Sequence, residues 1–185
     1  MTRLLLIRHA ESTWNAAGRW QGHADPPLSE RGRQEAEALA RELARAGLER
    51  VVTSDLTRAI ETGATLAGGL GIPALCCPGL RELDVGRWTG LTRAEVAARD
   101  PEALAAFDAG GESAPAGGGE TRAALARRAR ASLAALARTW PDSCVGVVTH
   151  LGVIRALVGE ALDHAAWRWL ETREGGLRAP GLEPS

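Results

Sequence analysis

Cysteine is scarce in this 185-residue chain: the three thiols are Cys76, Cys77 and Cys144. They are odd in number and sit in apolar, strand-like surroundings, which argues against a disulfide framework or a zinc set. Buried, free thiols are expected. Long hydrophobic runs are also missing. The apolar stretch at the N-terminus is interrupted by Arg3 and Arg8, leaving it shorter than a signal-peptide core and far too short to span a bilayer. A soluble, cytoplasmic protein without a membrane partner is expected. Nor is there an excess of one charge: the formal net charge is −1, so the bulk electrostatics favour neither nucleic acid nor an anionic surface, and any anion site must be local. No internal repeat of solenoid length is present.

What the chain does contain is a set of short apolar runs without alternation: Leu4 to Ile7, Val51 to Thr53, Ala74 to Cys77 and Val145 to Thr149. Such runs suit strands covered on both faces, as in a mainly parallel sheet, and the fold class follows as α/β. A helix is predicted from Ser29, as N-cap, to Gly47, with Ala36, Leu39, Ala40, Leu43 and Ala44 at helical spacing. A second runs from Leu56 to Leu66, ending towards Gly68 and Gly69. Thr92 to Glu95 carries the capping-box pattern of a third, interrupted or restarted at Pro101. Thr121 to Arg138 and Gly152 to Leu162 complete the set. Arg127, Arg128 and Arg130 are expected on a solvated helix face. One domain over residues 1–185 is expected, with a mobile glycine-rich segment at 110–119 and a tail from about His164 that lacks a clear final strand.

Two of the apolar runs end in histidine. Leu4 to Ile7 leads into Arg8-His9-Ala10-Glu11, with Asn15 close behind, and Val145 to Thr149 leads into His150. In a parallel sheet both imidazoles lie at the C-terminal edge, where ligands bind, and can meet across neighbouring strands. An arginine beside a titratable nitrogen suits phosphate. Arg58, in the first turn of a helix, opposes the helix dipole, a conflict that a bound anion resolves. A carboxyl at the same edge would serve as proton donor, and spacing alone leaves Glu82 and Asp84 equally good.

These segments together resemble the histidine phosphatase superfamily, the phosphoglycerate-mutase-like fold. Arg8-His9-Ala10-Glu11 is similar to its Arg-His-Gly signature, Ser54 to Ala59 to its Ser-x-Leu-x-Arg-Ala segment, Leu80-Arg81-Glu82 to its acid loop, and Thr149 to Arg155 to its second histidine segment. The resemblance runs from about Arg3 to about Val158, in the family's order, and is strongest to the small phosphatases such as α-ribazole phosphatase. It implies a three-layer, mainly parallel sheet with helices on both faces. It also implies phosphomonoester hydrolysis of a small phosphorylated metabolite, with His9 as the phosphoryl-accepting nucleophile, Glu82 as proton donor, and His150 completing the catalytic set.

The same resemblance assigns Arg8, Asn15, Arg58 and His150 to the phosphate pocket, and Gln21 and Leu151 are also expected to take part in substrate binding. Arginine presents a planar fork of donors matched to phosphate oxygens, and nearby guanidinium groups keep His9 neutral for attack. No metal and no cofactor are expected, and both a monomer and a homodimer fit. Trp14, Trp20, Gln21, Arg81, Trp88 and the 110–119 segment are expected to set specificity. The departures from the family pattern are Ala10 and Leu151, each where glycine is usual, and Thr89 for glutamate. The family's mutases resemble one another in a longer insertion and a tyrosine-bearing segment after the acid loop. The present chain has no tyrosine, which favours hydrolysis over the alternatives of a phosphoglycerate mutase or a non-catalytic phospho-ligand binding module.

Overall fold

Leu4, Leu5, Leu6 and Ile7 are all fully buried, which a strand achieves only when both of its faces are covered. In the computed structural model, which describes residues 1–110, 116–173 and 176–178, they form β1 (Arg3–Arg8). The order continues with α1 (Thr13–Ala16), α2 (Glu30–Glu42), β2 (Arg50–Thr53), α3 (Thr57–Leu70) and β3 (Ala74–Cys76). After these come α4 (Arg93–Arg99), α5 (Pro101–Asp108), α6 (Arg122–Thr139), β4 (Cys144–Thr149), α7 (Leu151–Val158), β5 (Trp167–Arg173) and β6 (Gly176–Arg178). The strands make one sheet of six in the order β3-β2-β4-β1-β5-β6. The first four in that order run parallel, and β5 and β6 are antiparallel additions beside β1.

Alternate side chains of β1 feed two cores. Leu5 and Ile7 pack with Val51, Val148 and the α2–α3 residues Leu39, Ala59 and Leu66. Leu4 and Leu6 join Val145, Val147 and the α6 residues Leu133 and Leu136 on the opposite face, so the sheet is the middle of three layers. Each such side chain stabilises the fold by about 1.5–3 kcal/mol when fully buried. A third cluster, centred on Trp88, Val96, Leu104 and Phe107, carries α4 and α5 as a cap beside the sheet's C-terminal edge.

The predicted helix starts hold. Ser29 caps α2 by accepting from the Gly32 amide, Thr92 and Glu95 form a capping box, and Pro101 restarts the chain as α5. Helix α3 runs four residues past the predicted Leu66, to a left-handed Gly71. Helix α7 stops short of Leu162 because Gly159 turns left-handed.

Two expectations are corrected. The tail does contain a strand: β5 pairs antiparallel with β1, with Leu170 buried opposite Leu4. Its Trp167-Arg168-Trp169 stretch is half-buried and rich in indole rather than aliphatic, so it lacks the apolar signature of the parallel strands; Arg3 stacks on the Trp169 ring at 4.1 Å. The cysteines are free but not buried. Cys76 is exposed because β3 is an edge strand whose three residues are all uncovered, and Cys77, just past it, and Cys144, the first residue of β4, are partly exposed. Of the glycine-rich segment, residues 111–115 lie outside the described residues, but its far end is packed in place. A Cβ on Gly117 would meet the Val85 carbonyl oxygen at 2.2 Å, and one on Gly119 the Asp84 carbonyl oxygen at 2.3 Å.

Candidate active site

The pairing register of β1 with β4 sets Arg8 opposite Thr149, so the next residue on each strand is a histidine. The ladder continues one step further, the His9 amide donating to the Thr149 carbonyl at 2.9 Å. The two imidazoles lie with ring centroids 5.0 Å apart. His9 Nδ1 is 2.7 Å from the Ala10 carbonyl oxygen; a carbonyl can only accept, so Nδ1 carries the proton and Nε2 the lone pair. Burial, then the charges of Arg58 and Arg8, push the His9 pKa well below its ordinary value despite that hydrogen bond. His150 is fully buried, and neither ring nitrogen has a partner. Burial and then Arg58 hold its pKa well down too.

Arg58, the second residue of α3, is also fully buried. It donates to the carbonyls of Ala24 (2.8 Å) and Gly22 (3.0 Å), and burial lowers its pKa to about 10, so it remains a cation at neutral pH. Arg8 donates from Nη1 to the Leu162 carbonyl, and its Nη2 lies 2.8 Å from His164 Nε2. Asn15 and Gln21 both turn their amide oxygens towards Ser12, which leaves their amide nitrogens free as donors.

The cavity lining separates the two carboxyls that spacing left equal. Glu82 lines the same cavity as Arg8, His9 and Arg58, whereas Asp84 does not and instead accepts from the Gly86 amide. Glu82 Oε1 accepts from the Leu83 amide at 2.8 Å and from the Gly152 amide, in the first turn of α7, at 3.1 Å. This approach requires glycine at 152: a Cβ there would stand 2.2 Å from Oε1. The loop's backbone is gathered by Arg128 of α6, which donates to the carbonyls of Gly79, Arg81 and Glu82 and pairs with Glu120. The expectation of a solvated face is therefore corrected for Arg128, which is drawn inward by three carbonyls that no helix or strand satisfies.

The cavity has a volume of about 330 Å³. Arg8, His9, Asn15, Gln21, Arg58, Glu82 and Leu151 all line it; His150 is not among the lining residues, its ring centroid standing 5.0 Å from that of His9. The apolar part of the cavity wall comes from Trp20, Leu83, Val85, Phe107 and Leu151. Trp14, Arg81 and Trp88, expected to govern specificity, are not part of the wall. Arg81 forms a bidentate pair with Asp55, and Trp88 is buried, donating to Asp100 and packing edge-on against Trp20 and Phe107. Sequence reasoning missed Arg155, Arg128 and His164. The first lies one turn beyond Leu151 on α7 and faces the cavity; that i, i+4 spacing was the available signal. For the other two, no local signal exists.

The histidine phosphatase superfamily (branch 1) pattern matches residues 4–177. Over 174 residues the chain is 37% identical to glucosyl-3-phosphoglycerate phosphatase of Mycobacterium tuberculosis, covering 90% of this chain and 78% of that protein. A 102-residue stretch, 55% of this chain, is 41% identical to phosphoserine phosphatase 1 of Hydrogenobacter thermophilus; it spans 48%, about half, of that relative's length. Among solved structures, a mycobacterial glucosyl-3-phosphoglycerate phosphatase complexed with VO3 superposes with a TM-score of 0.87 at 32% identity, covering 99% of both chains. The α-ribazole phosphatase of Shigella flexneri does so at 0.83 and 26% identity, over 98% of this chain and 100% of that one. These relatives are phosphatases by name, and the matched pattern runs through β1 to β6. The chain belongs to the histidine phosphatase superfamily, branch 1.

Proposed function

We propose that this protein hydrolyses phosphomonoesters of small metabolites, without a metal, through a phosphohistidine on His9. The observation that carries the reading is the neutral His9–His150 pair set against the buried Arg58 guanidinium and the half-buried one of Arg8, with both His150 nitrogens lacking any partner. A buried polar group left unpaired costs about 1–3 kcal/mol, and a phosphate oxygen would satisfy it. Arg8, Arg58 and the amide nitrogens of Asn15 and Gln21 supply further donors around the same ion, and cations so placed stabilise the charge of the transferring phosphoryl group.

In the first step His9 Nε2 attacks phosphorus, the bond to the ester oxygen breaks, and Glu82 passes its proton to that oxygen. Oε1 already takes two amide donors, so Oε2, with only a 3.2 Å contact to the Gly152 amide, is the oxygen left to carry the proton. In the second, the Glu82 carboxylate takes a proton from water as its oxygen attacks the phosphohistidine, releasing phosphate and restoring both side chains. The apolar part of the lining suits an alcohol portion with a hydrophobic face, and the relatives' names, phosphoserine phosphatase and glucosyl-3-phosphoglycerate phosphatase among them, support a search among phosphorylated metabolites.

The test is phosphate release from a chromogenic phosphomonoester, then from a panel of phosphorylated metabolites, by the parent and by His9→Ala. Hydrolysis by the parent and its loss in the variant are expected. Isomerisation of 3-phosphoglycerate dependent on bisphosphoglycerate would mark a mutase. Ligand binding without turnover would mark a binding module. Activity in His9→Ala at a tenth or more of the parent would remove His9 as nucleophile.

A further inference from the structure

A third histidine stands at this site, on a segment with no counterpart among the motifs read from the sequence. His164 occupies the turn that leads into β5. The Ala166 amide donates to the Asp163 carbonyl at 3.1 Å, and Ala165 takes a left-handed backbone, φ 56°, that ordinarily favours glycine. This constrained turn sets the His164 imidazole 6.1 Å from the His9 ring, centroid to centroid, with Nε2 2.8 Å from Arg8 Nη2. A guanidinium can only donate. Nε2 must therefore hold a lone pair, with the ring proton on Nδ1. The Arg8 Nη1 bond to the Leu162 carbonyl, 2.8 Å, comes from the same turn region, so one short stretch of chain grips both terminal nitrogens of the phosphate-binding arginine.

We propose that His164 is a positioning residue: its neutral imidazole, with the Leu162 carbonyl, aims the Arg8 guanidinium into the anion cup, and protonation of His164 releases that grip and weakens phosphate binding. The proposal rests on the phosphate-binding reading above and adds a regulation of that site by acid.

An imidazolium would set a second N–H against Nη2, two cations in place of donor and acceptor, and Arg8 would have to turn away. The charges facing His164 come from several elements: Arg8 and His9 at the end of β1, Glu11 in the loop that follows, Arg31 and Glu35 on α2, and Glu42 of α2 across the groove that His164 lines. Burial and then Arg8 lower its pKa, against the raising effect of Glu35 and Glu11. The grip therefore holds at neutral pH and fails on the acid side.

Glutamine and leucine separate this role from packing. The side-chain oxygen of glutamine reaches the place of Nε2 and does not titrate, whereas leucine offers no acceptor. Binding of inorganic phosphate is followed by calorimetry between pH 5 and pH 8 in the parent, His164→Gln and His164→Leu, with folding checked by circular dichroism. At pH 7.5, His164→Gln should bind within about threefold of the parent and His164→Leu about tenfold more weakly. The parent should lose affinity relative to His164→Gln as pH falls; that ratio cancels the ionisation of phosphate itself. Parallel pH curves for the parent and His164→Gln would overturn the proposal, as would parental affinity in a folded His164→Leu. If the leucine variant does not fold, the glutamine curve alone decides. Failure of the hydrolysis reading shows instead as intact phosphate binding without release of phosphate from esters, and absence of phosphate binding by the parent overturns both.

Discussion

Gly152→Ala is a one-carbon perturbation aimed at the proposed proton donor. The added Cβ would stand 2.2 Å from Glu82 Oε1 and 3.2 Å from Glu82 Cδ, so the carboxyl must withdraw by about 1 Å to reach an ordinary van der Waals separation. It then loses its hydrogen bond from the Gly152 amide while keeping that from Leu83. Displacements of that size at a reacting group cost about a hundredfold, and the whole general-acid contribution is about 10² to 10⁴. Alanine is a better helix former than glycine by up to about 1 kcal/mol, so helix propensity gives no reason for the fold to weaken.

The expected result is a thermal midpoint within a few degrees of the parent together with a loss of about a hundredfold in kcat on an alkyl phosphate. The loss should be smaller on p-nitrophenyl phosphate, whose leaving group departs with little help from an acid. Steady-state kinetics on the two esters measure this. An alkyl phosphatase rate within twofold of the parent would refute the placement of Glu82 as acid, and equal losses on both esters would refute its role in protonating the leaving group.

Arg58→Lys replaces a fork held by the Gly22 and Ala24 carbonyls with a single ammonium. A fall of about 10²–10³ in kcat/KM is expected, and a near-parental rate would leave Arg58 as a structural cation only. The pH dependence of stability has a definite sign. His9 and His150 have folded pKa values well below the ordinary 6.5, so below that pH the unfolded chain takes up protons that the folded one refuses, and stability falls with acid. From pH 7.5 to 5.5 the two imidazoles act in the same direction, so stability should decline progressively as the pH falls through 6.5. Urea midpoints measure it, and a flat profile over that window would show the imidazoles to be charged or solvated. Among the described residues no group of three or more His, Cys, Asp or Glu is placed to hold a metal ion, so EDTA should leave the phosphatase rate unchanged. Inhibition reversed by a divalent cation would refute the metal-independent reading.

By itself the sequence determined the pieces whose causes are local. Unbroken apolar runs marked β1, β2 and β4, polar caps marked the starts of α2 and α4, and the residue following two of those runs marked His9 and His150. Burial on both faces and the satisfaction of helix-end amides depend on a few neighbouring residues, so they are written in short stretches of chain. The tertiary structure alone decided which carboxyl faces the cavity: Glu82 reaches an amide 70 residues away in Gly152, whereas Asp84 accepts from the nearby Gly86 amide. It also drew Arg128 inward, left the Cys76 thiol of the edge strand uncovered, added β5 beside β1, and brought His164 to Arg8 across 156 residues. Those outcomes depend on strand register and on which backbone groups remain unpaired once the layers have packed. Such quantities belong to pairs of distant segments, and no window of the chain contains them.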